Sequence, residues 1–185
     1  MLIYILLILA LLAAVLVMIY NGLVQLKNKA DSAWADIDAQ LKKRHDLIPN
    51  LVETVKGYAS HEKQTLEKVT QTRTEAINAK GVKQKESAEN ELTQAVKTIF
   101  AVAEKYPDLK ANQNFLQLQN TLSEIEEHIQ LSRRYYNAVV RDFNTKMEVF
   151  PNNLVAGPFG FKKKDFFQLS EDKEKEPVQT DFSPR

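Results

Sequence analysis

Residues 40–62 read QLKKRHDLIPNLVETVKGYASHE, and this stretch decides the fold because it carries the repeat of an amphipathic helix. The apolar side chains of Leu41, Ile48 and Val52 recur at steps that fit threes and fours. This spacing places them on one face of an α-helix. His45 is the one polar member of the face, and the simplest interpretation is a half-buried histidine that hydrogen-bonds near Pro49.

A proline, Pro49, lies inside this helical pattern. An interior proline removes one backbone hydrogen bond and clashes with the preceding turn, which costs about 3 kcal/mol. Two outcomes are open: the helix kinks and continues, or it ends and restarts with Asp46 as the N-cap. Because the apolar stripe keeps its phase across the proline, a continuous, kinked helix is favoured.

The same stripe extends in both directions and predicts one helix from about Asn21 to Ala79, with a stop near Gly81. A second stripe predicts a helix that begins near residues 85–87 and ends before Pro107. A third predicts a helix of about 40 residues that ends at the next proline. We therefore expect an all-α fold: an antiparallel up-and-down bundle of three strong helices, with a possible short fourth, over residues 22–160.

The N-terminal segment, Leu2 to Tyr20, carries no charge and is almost entirely aliphatic. About 20 apolar residues in a helix cross a bilayer core. A cleaved signal peptide would show a basic start, a shorter apolar core and a small-residue cleavage site, and these features are missing. We predict that residues 1–21 are a retained transmembrane anchor and that residues 2–20 contact the lipid bilayer.

Composition argues against several classes of function. The net charge is +1, from 25 basic and 24 acidic residues, so no overall positive field favours nucleic-acid binding. There is no cysteine, no E-x-x-H pair among the three histidines and no glycine-rich nucleotide loop. We expect no metal, no cofactor, no nucleic-acid partner and no enzymatic activity.

Polar residues cluster around the proline and form the first candidate site. The set is His45, Asp46, Asn50 and Glu53. One interpretation is that they satisfy backbone groups freed by the proline. The alternative is a docking surface for a partner protein.

The second candidate site lies near the C-terminus, where three consecutive lysines lie beside two phenylalanines. The residues are Lys162, Lys163, Lys164, Phe166 and Phe167. Lysines near anionic lipid contribute about 1 kcal/mol each, so contact with a membrane surface is one hypothesis, although the acidic run that follows opposes it. We assign residues 161–185 to a charged, partly disordered tail.

The order and spacing of several motifs identify a family. Residues 20–62 read YNGLVQLKNKADSAWADIDAQLKKRHDLIPNLVETVKGYASHE, residues 133–144 read RRYYNAVVRDFN, and GPFGF and EPVQTDF follow. The chain resembles the LemA family over nearly all of its length. The resemblance implies a single-pass protein of the bacterial inner membrane with a four-helical soluble bundle. The fourth helix would come from a break at the proline or from the segment after Phe161.

The side of the membrane follows from charge. Lys27, Lys29 and the basic group at residues 42–44 flank the apolar segment, and the positive-inside rule then favours a cytoplasmic bundle. The leading functional hypothesis is a membrane-anchored structural or scaffold protein that forms homo-oligomers or presents its helices to a membrane-protein partner. The alternative is an accessory or adaptor subunit of a membrane enzyme, such as an envelope quality-control protease.

Overall fold

The computed structural model describes residues 1–168, and in this part of the chain the regular structure is helical, as predicted. The helices are α1 (Leu2–Lys56), α2 (Lys63–Asn78), α3 (Gly81–Ala103), α4 (Pro107–Lys110), α5 (Gln113–Glu148) and α6 (Asn153–Ala156). α4 and α6 are single turns. Within the described residues, four long helices therefore form the bundle.

The helix predicted from Asn21 to Ala79 is two helices, and the break does not fall at the proline. α1 continues through Pro49 and ends at Lys56. The chain turns over residues 57–62, where the backbone N–H of Ala59 donates to the carbonyl of Val55 at 2.8 Å. The fourth helix of the bundle is therefore α2, and neither of the two expected sources supplies it.

The predicted stop at Gly81 is the start of the next helix. α2 already ends at Asn78, and α3 begins at Gly81 itself, a few residues earlier than expected. This glycine has a φ of +74°, a conformation that side chains with a Cβ rarely adopt. The reversal between α2 and α3 is thus only two residues long.

α1 and α5 form the long antiparallel pair of the bundle, and the α2–α3 hairpin packs only beside the second half of α1. The far end of the bundle is filled by a mainly aliphatic cluster, the distal core. It comprises Ile48, Leu51, Val55, Ala59, Leu66, Val69, Ala76, Leu92, Ala95, Ile99, Ala103, Leu109, Phe115 and Leu122. The half nearer the N-terminal segment has its own cluster, the proximal core. It comprises Ala30, Ala33, Ile37, Leu41, Ile125, Ile129, Tyr136, Val139, Val140 and Phe167.

The first turns of α1 have no packing partners in the described chain. Within residues 1–168, α1 is the one helix long and apolar enough to cross a membrane, and its apolar window is not buried inside the protein. The same helix then enters the bundle without a break. From Asn21 to Lys56 it rises by about 54 Å, at about 1.5 Å per residue.

The C-terminal segment over residues 161–168 is extended and lies along α5. The amide of Asn137 bonds both backbone groups of Phe167, at 2.8 and 2.9 Å, and the amide of Asn144 does the same for Lys164, at 2.9 and 3.0 Å. Seven helical residues span about 10.5 Å, and three extended residues span about 10 Å. The two spacings match, so paired asparagines two turns apart can hold an extended chain.

This segment closes the side of the proximal half that α2 and α3 leave open. The ring of Phe167 lies 5.4 Å from Trp34 and is fully buried. The segment then meets the start of α3, where the backbone N–H of Gln168 donates to Glu86 at 3.2 Å. The first part of the predicted tail is therefore packed against the bundle, and residues 169–185 lie outside the described residues.

Candidate functional site

A cluster of charged side chains lies inside the bundle, between α1, α3 and α5. The carboxylate of Glu89 is fully buried; Oε1 lies 2.9 Å from His45 Nε2, and Oε2 accepts from Arg44 Nη2. Arg44 Nη1 donates to Glu126 Oε2 at 2.7 Å and to Thr93 Oγ1 at 3.1 Å. The cluster therefore ties three helices together at one level of the bundle.

The surroundings of Glu89 keep its carboxyl ionised. Burial alone raises the pKa of Glu89, but the hydrogen bond with His45 and the positive charge of Arg44 outweigh it, and the pKa falls below its ordinary 4.5. A buried ion pair of this kind contributes little net stability, but removal of one partner strongly destabilises the fold because the other charge stays buried and unpaired. The Nε of Arg44 is buried and has no hydrogen-bond partner among the described residues. The arrangement therefore holds the helices in register, and we assign it no chemistry.

A second interaction explains how α1 continues through its proline. Pro49 has no backbone N–H, so the carbonyl of His45, four residues earlier, loses its helical donor. Arg73 of α2 supplies a replacement, because its Nε donates to that carbonyl at 2.6 Å. The backbone group freed by the proline is satisfied from a neighbouring helix, and the nearby polar residues Asp46 and Asn50 are exposed.

The structure divides the first predicted site. His45 is buried, and it is more enclosed than the half-buried histidine that was expected. Asp46, Asn50 and Glu53 are exposed and follow one another at helical spacing on the outer face of α1. Of the predicted docking surface, only these three residues are accessible to a partner, and the docking surface itself stays a prediction.

A groove of about 620 Å³ lies beside that face, between the end of α1 and the start of α2. Its lining mixes apolar and charged side chains. It includes Val52, Glu53, Lys56, Lys63, Leu66 and Glu67. The groove does not reach the buried charge cluster.

The second predicted site is also divided. Phe167 is part of the proximal core, so it is not available for the membrane contact that was expected, because its ring fills the space between α1 and α5. Lys164 bonds Asp31 at 2.5 Å, and Lys163 pairs with Glu148. Lys162 is exposed and Phe166 is 41% exposed.

Sequence reasoning missed Arg44 and Glu89, although the signal was present. Arg44 lies three residues after Leu41 and four before Ile48, and Glu89 lies three residues before Leu92. Each therefore falls on the apolar face of its helix. Two opposite charges on inward faces indicate a buried pair, but the spacing alone cannot match one helix with another.

Comparison with known proteins places these features in a family. The model of the LemA family matches residues 33–182. The Protein LemA of Metamycoplasma hominis is 30% identical over 155 residues, which are 82% of this chain and 69% of that protein. The matched region includes α2, α3 and α5 and most of α1 within the bundle.

More distant similarity extends to magnetosome proteins of two bacteria. Magnetosome protein MamQ 2 of Paramagnetospirillum magneticum is 24% identical over 181 residues, with 84% of this chain and 66% of that protein covered. Magnetosome protein MamQ of Magnetospirillum gryphiswaldense is 22% identical over 178 residues, with 82% and 65% covered. The chain thus spans about two thirds of the length of these relatives.

Proposed function

The chain belongs to the LemA family of membrane-associated proteins, and we propose that it is a membrane-anchored helical scaffold without enzymatic activity. One observation carries this proposal. α1 is a single helix from Leu2 to Lys56, and it joins an apolar, unpacked segment directly to the bundle core. An anchor and a bundle that share one helix move together, unlike two parts joined by a flexible linker.

The geometry supports the role of a rigid spacer. The far end of α1 lies about 54 Å from the end of the apolar segment, given about 1.5 Å per residue. Pro49 would weaken such a helix, but the bond from Arg73 replaces the lost partner. The buried pairs of Arg44 fix the level at which α3 and α5 meet α1. These features favour a rod that presents its distal surface at a set height above the bilayer.

We propose that this distal surface takes part in self-association. Asp46, Asn50 and Glu53 are exposed there, beside the groove between α1 and α2. Chains anchored in one bilayer share an orientation and a small volume, so weak contacts between rods are strengthened by a high effective concentration. The names of the relatives state no reaction, and the adaptor hypothesis gains no support from them.

Cysteine cross-linking in membranes tests this function, because the chain has no cysteine of its own. We expect Asn50→Cys to give a covalent dimer of the full-length protein with a short bifunctional maleimide. Lys97→Cys, exposed on α3, is the matched control and should remain monomeric. Monomer at both positions would contradict self-association, and a product of other mass would indicate a different partner.

The cytoplasmic location of the bundle stays a prediction from charge. Lys105 is exposed at the distal end of the bundle. A cysteine at this position should react with a membrane-impermeant maleimide only after lysis of the cells. Reaction in intact cells would place the bundle outside and reverse the prediction.

A further inference from the structure

The stretch that follows α5 has an unusual composition. Residues 149–161 read VFPNNLVAGPFGF and contain no charged side chain. We call these 13 residues the juxtamembrane foot. They include α6 and lie at the end of the bundle where α1 emerges from its apolar segment. The foot therefore lies beside the apolar segment of α1, and the distal end of the bundle lies far from that segment.

One side of the foot is firmly packed against α1. Val155 and Ala156 are buried in a small cluster with Leu23. The ring of Tyr20 lies 5.2 Å from that of Phe159 and 5.7 Å from that of Phe161. These contacts fix the foot at the level of residues 19–23, directly after the apolar segment ends.

The other side of the foot exposes large apolar side chains. Phe150 is 79% exposed, Leu154 is 64% exposed and Phe159 is 61% exposed. Single exposed apolar residues are common on protein surfaces, but several within one uncharged segment indicate an interaction site. The foot is held in place by Val155 and Ala156, so its outer side chains stay exposed although its inner ones are buried.

Lysines border the foot on both sides. Lys162 and Lys163 follow it directly, and Lys146 precedes it by one turn of α5. Glu148 lies directly before the foot and pairs with Lys163, so Lys162 and Lys146 supply the net positive charge. The ammonium group of Lys146 lies against α1, since a methyl group built at Gly22 would be 2.8 Å from its Nζ. Aromatic and lysine side chains at the end of an apolar helix are typical of the interface between membrane and water.

We propose that the juxtamembrane foot inserts its exposed apolar side chains into the headgroup region of the bilayer that α1 crosses. This inference rests on the proposed membrane anchoring. Continuity with the apolar segment, the lack of charge and the flanking lysines all favour lipid over a protein partner. The foot would be a second contact with the membrane, beside the helix axis, and would limit how far the rod tilts or rotates.

Spin labels on the full-length protein in liposomes of neutral and anionic lipid test the proposal. A nitroxide is attached at Leu154→Cys, and its collision rates with oxygen and with a water-soluble nickel complex are compared. Oxygen concentrates in lipid, and the nickel complex stays in water. We expect a ratio of oxygen to nickel accessibility several-fold higher than at Lys105→Cys, the exposed distal control. A label at Phe150→Cys should behave like the one at Leu154→Cys.

A third label, at Leu12→Cys in the apolar segment, separates the two proposals. If Leu12→Cys is in lipid but Leu154→Cys matches the distal control, the foot does not enter the membrane and the anchor stands. If Leu12→Cys is accessible to the nickel complex, the anchor itself fails. Protection of Leu154→Cys from both reagents would mean that protein covers the foot, which also overturns the proposal.

Discussion

The distal and proximal halves of the bundle close their cores in different ways. In the distal half, α2 and α3 complete a four-helix arrangement around α1 and α5, and the buried charges of Arg44 and Glu89 lie at its base. In the proximal half, α1 and α5 meet only the first turns of α3, where Val82 packs against the proximal core, and an extended segment covers them through aromatic rings and the amides of two asparagines.

The two halves should therefore respond differently to destabilising substitutions. A helix of the distal half cannot leave without exposing the shared aliphatic core, so its interactions belong to the cooperative unit of the fold. The extended segment is held by one buried ring, Phe167, by a few bonds to backbone groups and by ion pairs at the surface, so it can leave while the helices remain. The predictions below test this distinction, from the largest expected effect to the smallest.

The largest effect is expected for Arg44→Met, in the distal half. The substitution leaves the buried carboxylate of Glu89 with His45 as its remaining bonded partner, and such uncompensated charges cost about 3–5 kcal/mol. We expect a clear fall in the midpoint of urea unfolding, followed by circular dichroism in detergent. The exposed neighbour Lys43→Met should change it little, and equal midpoints for the two variants would contradict a structural role for the buried pair.

A smaller and local effect is expected for Phe167→Ala, in the proximal half. Truncation of a buried phenylalanine costs about 3 kcal/mol or more, but release of the segment limits the loss. Trp34 packs against this ring and is the single tryptophan of the chain. Its emission should shift to the red while helical content is retained.

The adjacent residue supplies the control for that experiment. Phe166→Ala removes a ring that is 41% exposed and should leave the emission of Trp34 unchanged. Loss of helical signal in Phe167→Ala would show that the segment belongs to the cooperative unit, and the comparison between the halves would then fail.

The third prediction concerns the proline in α1. Arg73→Met leaves the carbonyl of His45 without its donor, which should cost about 2 kcal/mol, since an unmade bond to a buried acceptor costs about 1–3 kcal/mol. Pro49→Ala restores a backbone N–H to that carbonyl. The double variant should therefore lose less stability than Arg73→Met alone, measured by urea unfolding with exposed Lys68→Met as the control. Equal losses would show that the arginine does not compensate for the proline.

The smallest effect is expected for Tyr136→Phe. Burial, with the nearby charges of Asp165 and Asp31, raises the pKa of Tyr136 from 10.0 to about 12. The phenol is thus neutral in the folded protein at pH values where it ionises in the unfolded chain. Protonated Tyr136 therefore stabilises the folded protein fully below about pH 10, and this stabilisation is lost as the pH rises toward 12.

Near neutral pH the same substitution removes one hydrogen bond, from the hydroxyl to the carbonyl of Asp165, worth about 1 kcal/mol. The variant should also lose less stability than the wild type between pH 10 and 12, as measured by the emission of Trp34. Tyr135→Phe, at a partly exposed ring, is the matched control. An unchanged alkaline profile would contradict the assignment.

Much of the fold could be predicted from the sequence. Periodic apolar stripes predicted long helices, an all-α class and an apolar N-terminal segment, because helical geometry converts a spacing of three and four into one face. The same reasoning correctly carried the first helix through Pro49, but it extended that helix to Ala79 and missed the turn at residues 57–62. The candidate sites were predicted less well: His45 and Phe167 are core residues, and Arg44, Glu89 and the asparagines were missed.

The sequence by itself determined which residues face inward on each helix, since that depends only on local geometry. Only the tertiary structure decided which inward faces meet. Arg73 could be matched with the carbonyl left free by Pro49, and Asn137 with the backbone of Phe167, only once the helices were packed. Contacts between residues 28 or 30 positions apart depend on how the chain folds back, and no spacing within one helix encodes them.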